Sequence, residues 1–162
     1  MTTRHPEHGP AGDGVPPLRF VGAAGGPRLH HSRVAVSVDA EFRQLLMLRA
    51  VGETVALVTD FPLDAVVDLR VALDEVATRL ISSAVRDSVL GCEFDADAEG
   101  ITVRLHTVVE VDDPLDEAGF SWHILRAITD HLTVRNHPYD AAVAGHPVEV
   151  VFGRRRAGHP DR

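Results

Sequence analysis

Cysteine is nearly absent from this chain. Cys92 stands alone among 162 residues, which excludes an internal disulfide and argues against a Cys-based metal cluster. Because it sits in an apolar, strand-like stretch, it reads as a small buried hydrophobe rather than a reactive thiol. Long apolar runs are missing as well, and nothing reaches the roughly 20 residues that a membrane-spanning helix needs. The N-terminus is rich in Gly, Pro and His but has no apolar signal-peptide core, so a cytoplasmic protein is expected. Basic excess is also lacking. The formal net charge is −8, and no helix gathers Lys or Arg on one face to displace counterions, so direct nucleic-acid binding is not expected. An acidic surface suits either solubility or a basic protein partner.

What remains is the composition of a globular domain. Hydrophobic residues make up 44% and charged residues 25%, enough to bury a core in a chain of this size. Residues 1–31 hold repeated Pro and Gly with little apolar patterning and read as a flexible tail. His5, His8, His30 and His31 fall in or beside it; nothing completes a metal site with them, and solvated histidines are the simpler reading. Residues 32–153 form the expected domain. Residues 154–162, with Arg154, Arg155 and Arg156, read as a short basic, flexible and solvated end.

Val34, Val36 and Val38 alternate with small or polar residues and predict a first strand. A helix is expected over 40–58, with Phe42, Leu45, Leu46, Leu48 and Val51 as its buried stripe and Gly52 as a weak point. After Asp60-Phe-Pro62, the segment 63–85 carries the strongest helical signal. Val66, Leu69, Leu73, Val76, Leu80 and Ala84 recur at three- and four-residue spacing. Asp68, Glu75, Thr78, Arg79 and Ser82 fall on its polar side. Strands over 89–94 and 101–109, an acidic loop over 110–117, a helix over 121–131 and strands over 133–135 and 148–152 complete the order. The sequence β-α-α-β-β-α-β-β suggests a two-layer α/β sandwich, with helices on one face of a mixed sheet.

Two stretches carry a family resemblance. Asp68-Leu-Arg-Val-Ala-Leu-Asp-Glu75-Val-Ala-Thr78-Arg79 resembles the N-box helix of RsbW-type anti-sigma factors, which are serine-protein kinases of the GHKL (Bergerat-fold) ATPase superfamily. In matching order, Gly119-Phe-Ser-Trp122-His-Ile-Leu-Arg-Ala-Ile-Thr-Asp130-His-Leu-Thr-Val134 resembles the family's glycine-containing segment and the helix and strand that follow it. Phe61-Pro-Leu63 matches the entry to the N-box helix, and the resemblance extends over about 33–153. The details look most like the actinobacterial branch.

The resemblance implies a Bergerat fold and an ATP cofactor with Mg²⁺. It implies Glu75 as catalytic base toward a serine of a partner protein, with Gly119 and Ser121 near the phosphates. Its implied partners are an alternative sigma factor of the stress or sporulation class, a competing STAS-domain anti-anti-sigma factor, and a second copy in a homodimer. Val36, Phe42 and Leu46 are the implied candidates for the dimer and sigma contacts.

Three positions depart from the family pattern. Arg79 stands where the family has a magnesium-binding Asn, and a guanidinium offers donors but no acceptor for a metal. It can instead face a nucleotide phosphate, or pair with Glu75 four residues earlier in the favourable helical orientation. The adenine-binding D-x-G-x-G box is missing, with Asp112 or Asp113 as possible substitutes beside Pro114. The second glycine of the later motif is Ser121, followed by bulky Trp122, which reads as core or interface rather than an adenine platform. The leading expectation is therefore partner sequestration with weakened or lost MgATP chemistry. The alternatives are an active ATP-dependent serine/threonine kinase acting on a STAS-domain antagonist, and a GHKL-like accessory domain with some other partner.

Overall fold

The computed structural model describes residues 31–156. Strand β1 (Ser32–Asp39) leads through a 3₁₀ turn (Phe42–Gln44) into helix α1 (Leu45–Val58), and α2 (Leu63–Ser83) follows. Then come β2 (Val89–Ala96), β3 (Gly100–Val109), α3 (Phe120–Ile128), β4 (His131–Asn136) and β5 (His146–Arg155). This is the expected order of elements, arranged as a two-layer α/β sandwich.

The sheet is not mixed. Its strand order is β1-β2-β3-β5-β4, and each neighbouring pair is antiparallel. The chain path explains the difference. Two antiparallel helices between β1 and β2 return the chain to the end where β1 finished, so β2 must run the opposite way. A single helix between β3 and β4 leaves those two strands pointing in the same direction, but β5 lies between them and pairs with both.

Period-two alternation separates the sheet's faces. Leu90, Cys92, Phe94 and Ala96 of β2, Ile101, Val103, Leu105 and Val109 of β3, and Val148, Val150 and Phe152 of β5 are buried against the helices. Burial, reinforced by the Glu93 carboxylate, pushes the Cys92 thiol up to about 12, so it is an inert core atom. The opposite face carries a chain of ion pairs. Arg33 lies 3.5 Å from Glu93, while Arg104 and Arg135 reach Glu149 at 2.7 and 3.2 Å.

The hydrogen bond from Arg104 holds the Glu149 carboxyl below the usual carboxylate range, helped by the Arg104 and Arg135 charges against partial desolvation. A lowered folded-state value contributes stability above the unfolded pKa of about 4.3 and loses it as pH falls through the folded value. Glu149→Gln is therefore expected to cost about 0.5 kcal/mol at pH 7, where solvent screens much of the pairing. The gap should close under acid. Paired urea titrations across pH 2.5–7 check this; a gap that persists in strong acid contradicts it.

Helix α2 buries Ala65, Leu69, Ala72, Leu73, Val76, Ala77, Leu80 and Ile81. Of its predicted stripe Leu69, Leu73, Val76 and Leu80 are buried, Val66 is partly buried, and Ala84 falls just past the helix end. Helix α1 keeps Leu45, Leu48 and Val51 of its expected stripe toward the core but not Phe42 and Leu46. It buries Leu48, Gly52, Val55 and Ala56, whereas Phe42 and Leu46 are 55% and 73% exposed. Successive residues turn about 100° around a helix, so Leu46 lies about 200° from Leu48 and cannot share its face. Phe42 belongs to the 3₁₀ turn that precedes the helix. Gly52 is a point of close approach, since a Cβ there would stand 3.0 Å from the Phe94 ring. Ion pairs Arg49–Asp74 at 2.5 Å and Arg70–Glu53 at 3.4 Å join α1 to α2.

The chain's basic end is also unlike its expectation. Strand β5 runs to Arg155 rather than ending at 152, and Arg154 and Arg156 are engaged. Arg156 donates to the carbonyls of Thr59 and, at 2.9 Å, Asp60, and its guanidinium lies 4.7 Å from the Phe61 ring centroid. It thus caps α1 and pins the α1–α2 turn, where Asp60 takes φ 54°. Arg156→Ala is expected to cost about 1–2 kcal/mol through the lost cap and cation–π contact. Thermal and urea denaturation measure it; an unchanged midpoint would refute the clasp. Residues 1–30 and 157–162, assigned above to tails, lie outside the described residues. His31 is described, and its Nε2 stands 2.8 Å from Asp95 Oδ1.

Candidate functional site

The polar side of α2 is defined by what its apolar stripe leaves over. Glu75 and Arg79 sit one turn apart, so both project away from Val76 and Leu80. Arg79 Nε donates to Glu75 Oε1 at 3.1 Å, and Arg79 Nη2 donates to Ser121 Oγ at 2.7 Å. The side chains of Glu75 and Arg79 retain 33% and 39% of their exposure, so the pair itself contributes only about 0.2–1 kcal/mol. Its geometry is more informative than its energy. Arg79 is not a plain surface ion pair, because its second contact crosses to a residue 42 positions later in the chain.

Ser121 is presented by the start of α3. Gly119 caps that helix in an extended conformation, with its N–H donating to the Asp116 carbonyl at 2.8 Å. A Cβ at Gly119 would stand 2.8 Å from the Asp116 carboxylate, so the glycine permits a tight local turn. His123 Nδ1 lies 2.9 Å from the Gly119 carbonyl. Trp122 is partly buried and packs against the core, in keeping with its reading as core.

Of the sequence-predicted site residues, the fold brings Glu75, Arg79 and Ser121 together, with Gly119 at the turn that positions Ser121. Asp112 is different. It is exposed in the loop between β3 and α3, and no described hydrogen bond or ion pair joins it to the other three. That loop is anchored instead by Leu115, which is buried. A separate polar groove of about 620 Å³, on the open face of the sheet, includes Arg33, Asp95, Thr102 and Arg155 but none of the site residues.

Asp68, the first carboxylate of the helix motif, is held by Arg154 Nη2 at 3.4 Å. Arg154 Nη1 also approaches Asp130 at 3.7 Å, and Asp130 Oδ2 accepts the Arg155 N–H at 2.7 Å. The two motif carboxylates, 62 positions apart, therefore meet on one arginine. Reading the chain end as a tail overlooked this link. The available signal was the alternation Val148, Val150, Phe152, whose next inward position is Arg154.

Taken as chemistry, the Glu75–Arg79–Ser121 group supplies one carboxylate already engaged by a cation, plus one hydroxyl. A magnesium ion takes oxygen ligands, and the guanidinium at position 79 offers none. The residues present do not fit a magnesium–nucleotide site of the usual kind.

No protein-family model matches the chain. Over 124 residues it is 33% identical to the anti-sigma-F factor RsbW of Mycobacterium tuberculosis, with the same identity in strains CDC 1551 / Oshkosh and ATCC 25618 / H37Rv. The alignment covers 76% of this chain and 74% of each relative. Identity of that extent, over a domain with the expected order of elements, establishes the relationship that the two motifs suggested: the chain belongs to the RsbW family of anti-sigma factors.

Proposed function

We propose that this protein works by sequestration: it binds an alternative sigma factor of the stress or sporulation class in the cytoplasm and denies it to RNA polymerase core. A STAS-domain anti-anti-sigma factor competes for the same protein, so release follows relative affinities and concentrations. The acting species is a homodimer. The contact region includes the N-terminal strand, the 3₁₀ turn and the start of α1, where Phe42 and Leu46 are exposed apolar side chains. Among the described residues no helix is long and apolar enough to cross a membrane.

The observation that carries the binding reading, as against phosphoryl transfer, is Arg79. It engages Glu75, the candidate base, and it cannot ligate magnesium. A general base must reach the proton that it removes, and here its carboxylate already accepts from a permanent cation. Gly119 and Ser121 then have structural rather than nucleotide-holding roles, and Asp112 stands apart from the site.

A pull-down with purified sigma factors, run with and without MgATP, tests this. One sigma factor should be captured equally in both conditions. Failure to capture any overturns sequestration. Phosphate transfer from labelled ATP to a STAS-domain serine, abolished by Glu75→Ala, would establish the active-kinase alternative instead. Sedimentation at micromolar concentration tests the dimer, and a monomer there removes it.

A further inference from the structure

The lack of fit between this site and a magnesium–nucleotide complex has a structural counterpart. Among the described residues, Arg79 Nη2 to Ser121 Oγ is the side-chain hydrogen bond that joins α2 to α3. It falls at the first turn of α3, just after Gly119, where the chain leaves the acidic loop of residues 110–119. Within that turn Trp122 is partly buried against the core, and further along Leu125 is buried and Ile128 partly buried. Phe120, at the helix start, is 81% exposed. The first turn of α3 is therefore held by this polar contact together with the partly buried Trp122.

We propose that Arg79 is a built-in latch: its guanidinium, set by Glu75, fixes the start of α3 against α2 with no nucleotide and no metal. An arginine stays protonated under any physiological condition. Glu75 orients its Nε side, which leaves Nη2 directed at Ser121. The cation is thus covalently part of α2 and cannot dissociate. A free magnesium ion entering the same place meets a like charge and no added oxygen ligand from position 79. The loop and the start of α3 are held in one arrangement that MgATP does not alter. The further consequence, that sigma capture is constitutive and regulated only by the competing partner, rests on the sequestration reading above. The latch does not.

Hydrogen exchange by mass spectrometry on the full chain tests the latch directly. Ser121→Ala and Arg79→Met, the latter keeping most of the aliphatic stem, should each speed amide exchange over 119–124 by roughly fivefold, the scale of one net hydrogen bond. The double variant should be no faster than either single one, because both remove the same contact. Adding MgATP to the unmodified protein should leave exchange there within about twofold, since no site-linked ordering is available to it. Unchanged exchange in Ser121→Ala overturns the latch, as does additivity in the double variant. Strong protection of 119–124 by MgATP in the unmodified protein also overturns it. Loss of sigma capture by the unmodified protein would instead remove the sequestration reading and leave the exchange result standing.

Discussion

Phe94→Ala is expected to remove about 3–5 kcal/mol of stability, the usual cost of emptying a buried phenylalanine site. The site is central: Phe94 is fully buried, lies in β2 between Val34 of β1 and Val103 of β3, and meets α1 at Gly52. Collapse cannot fill the void cheaply. The sheet fixes the floor, and the helix above already approaches as closely as a glycine allows. Against a total of about 5–15 kcal/mol for a domain, such a loss leaves the protein marginal or unfolded at 37 °C. With a urea slope of roughly 1–3 kcal/mol per molar, the midpoint should fall by more than about 1 M. A fall equivalent to less than about 1 kcal/mol would mean that Phe94 is not the keystone between sheet and α1.

The second large effect concerns binding. Replacing Phe42 by Ala and Leu46 by Asp together should weaken sigma-factor capture at least tenfold, or about 1.4 kcal/mol, at nearly unchanged stability. Both side chains are more exposed than buried, and Met47 beside them is 51% exposed. Removing them costs the isolated domain little core, within about 0.5 kcal/mol. An interface that buries an aromatic and an aliphatic anchor loses much more on truncation. Titration of labelled sigma factor and urea denaturation of the same preparation separate the two quantities. Full-strength capture by the double variant would move the partner surface elsewhere. A collapsed urea midpoint would show that these residues belong to the fold after all.

Both predictions turn on α1 and the turn that leads into it, where Phe42 and Leu46 of the expected stripe lie at the surface. Five apolar residues within 42–51 suggested one buried stripe, but they cannot all lie on one face of a helix. Packing kept Leu45, Leu48 and Val51 of them and added Val55 and Ala56 around the close approach at Gly52. The 3₁₀ turn then carried Phe42 to the surface. Helix α2 buries the expected face because its stripe is nearly continuous over five turns, so only one rotation covers it. The expected helix over 121–131 ends earlier, at Ile128. There His131 pairs with Gly153 and Asp130 N–H donates to the Gly153 carbonyl, so sheet pairing overrides helical propensity.

Within the site the division is equally specific. Glu75 and Arg79 were legible as a pair because four residues is one helical turn. Their link to Ser121 was not, because nothing local encodes which residue 42 positions away will arrive beside a guanidinium. The same holds for Arg154, whose partners Asp68 and Asp130 come from α2 and the bend before β4.

By itself, the sequence determined the element order, the buried face of α2, the inert setting of Cys92, and the family to which the two motifs belong. The first three are written in short-range periodicity or in local residue chemistry, and the family in the resemblance of the two motifs. Only the tertiary structure decided the antiparallel sheet, the exposure of Phe42 and Leu46, the clasp at Arg156 and the crossing from Arg79 to Ser121. Those depend on which distant segments meet, and close packing of a whole core settles that choice beyond the reach of any local pattern.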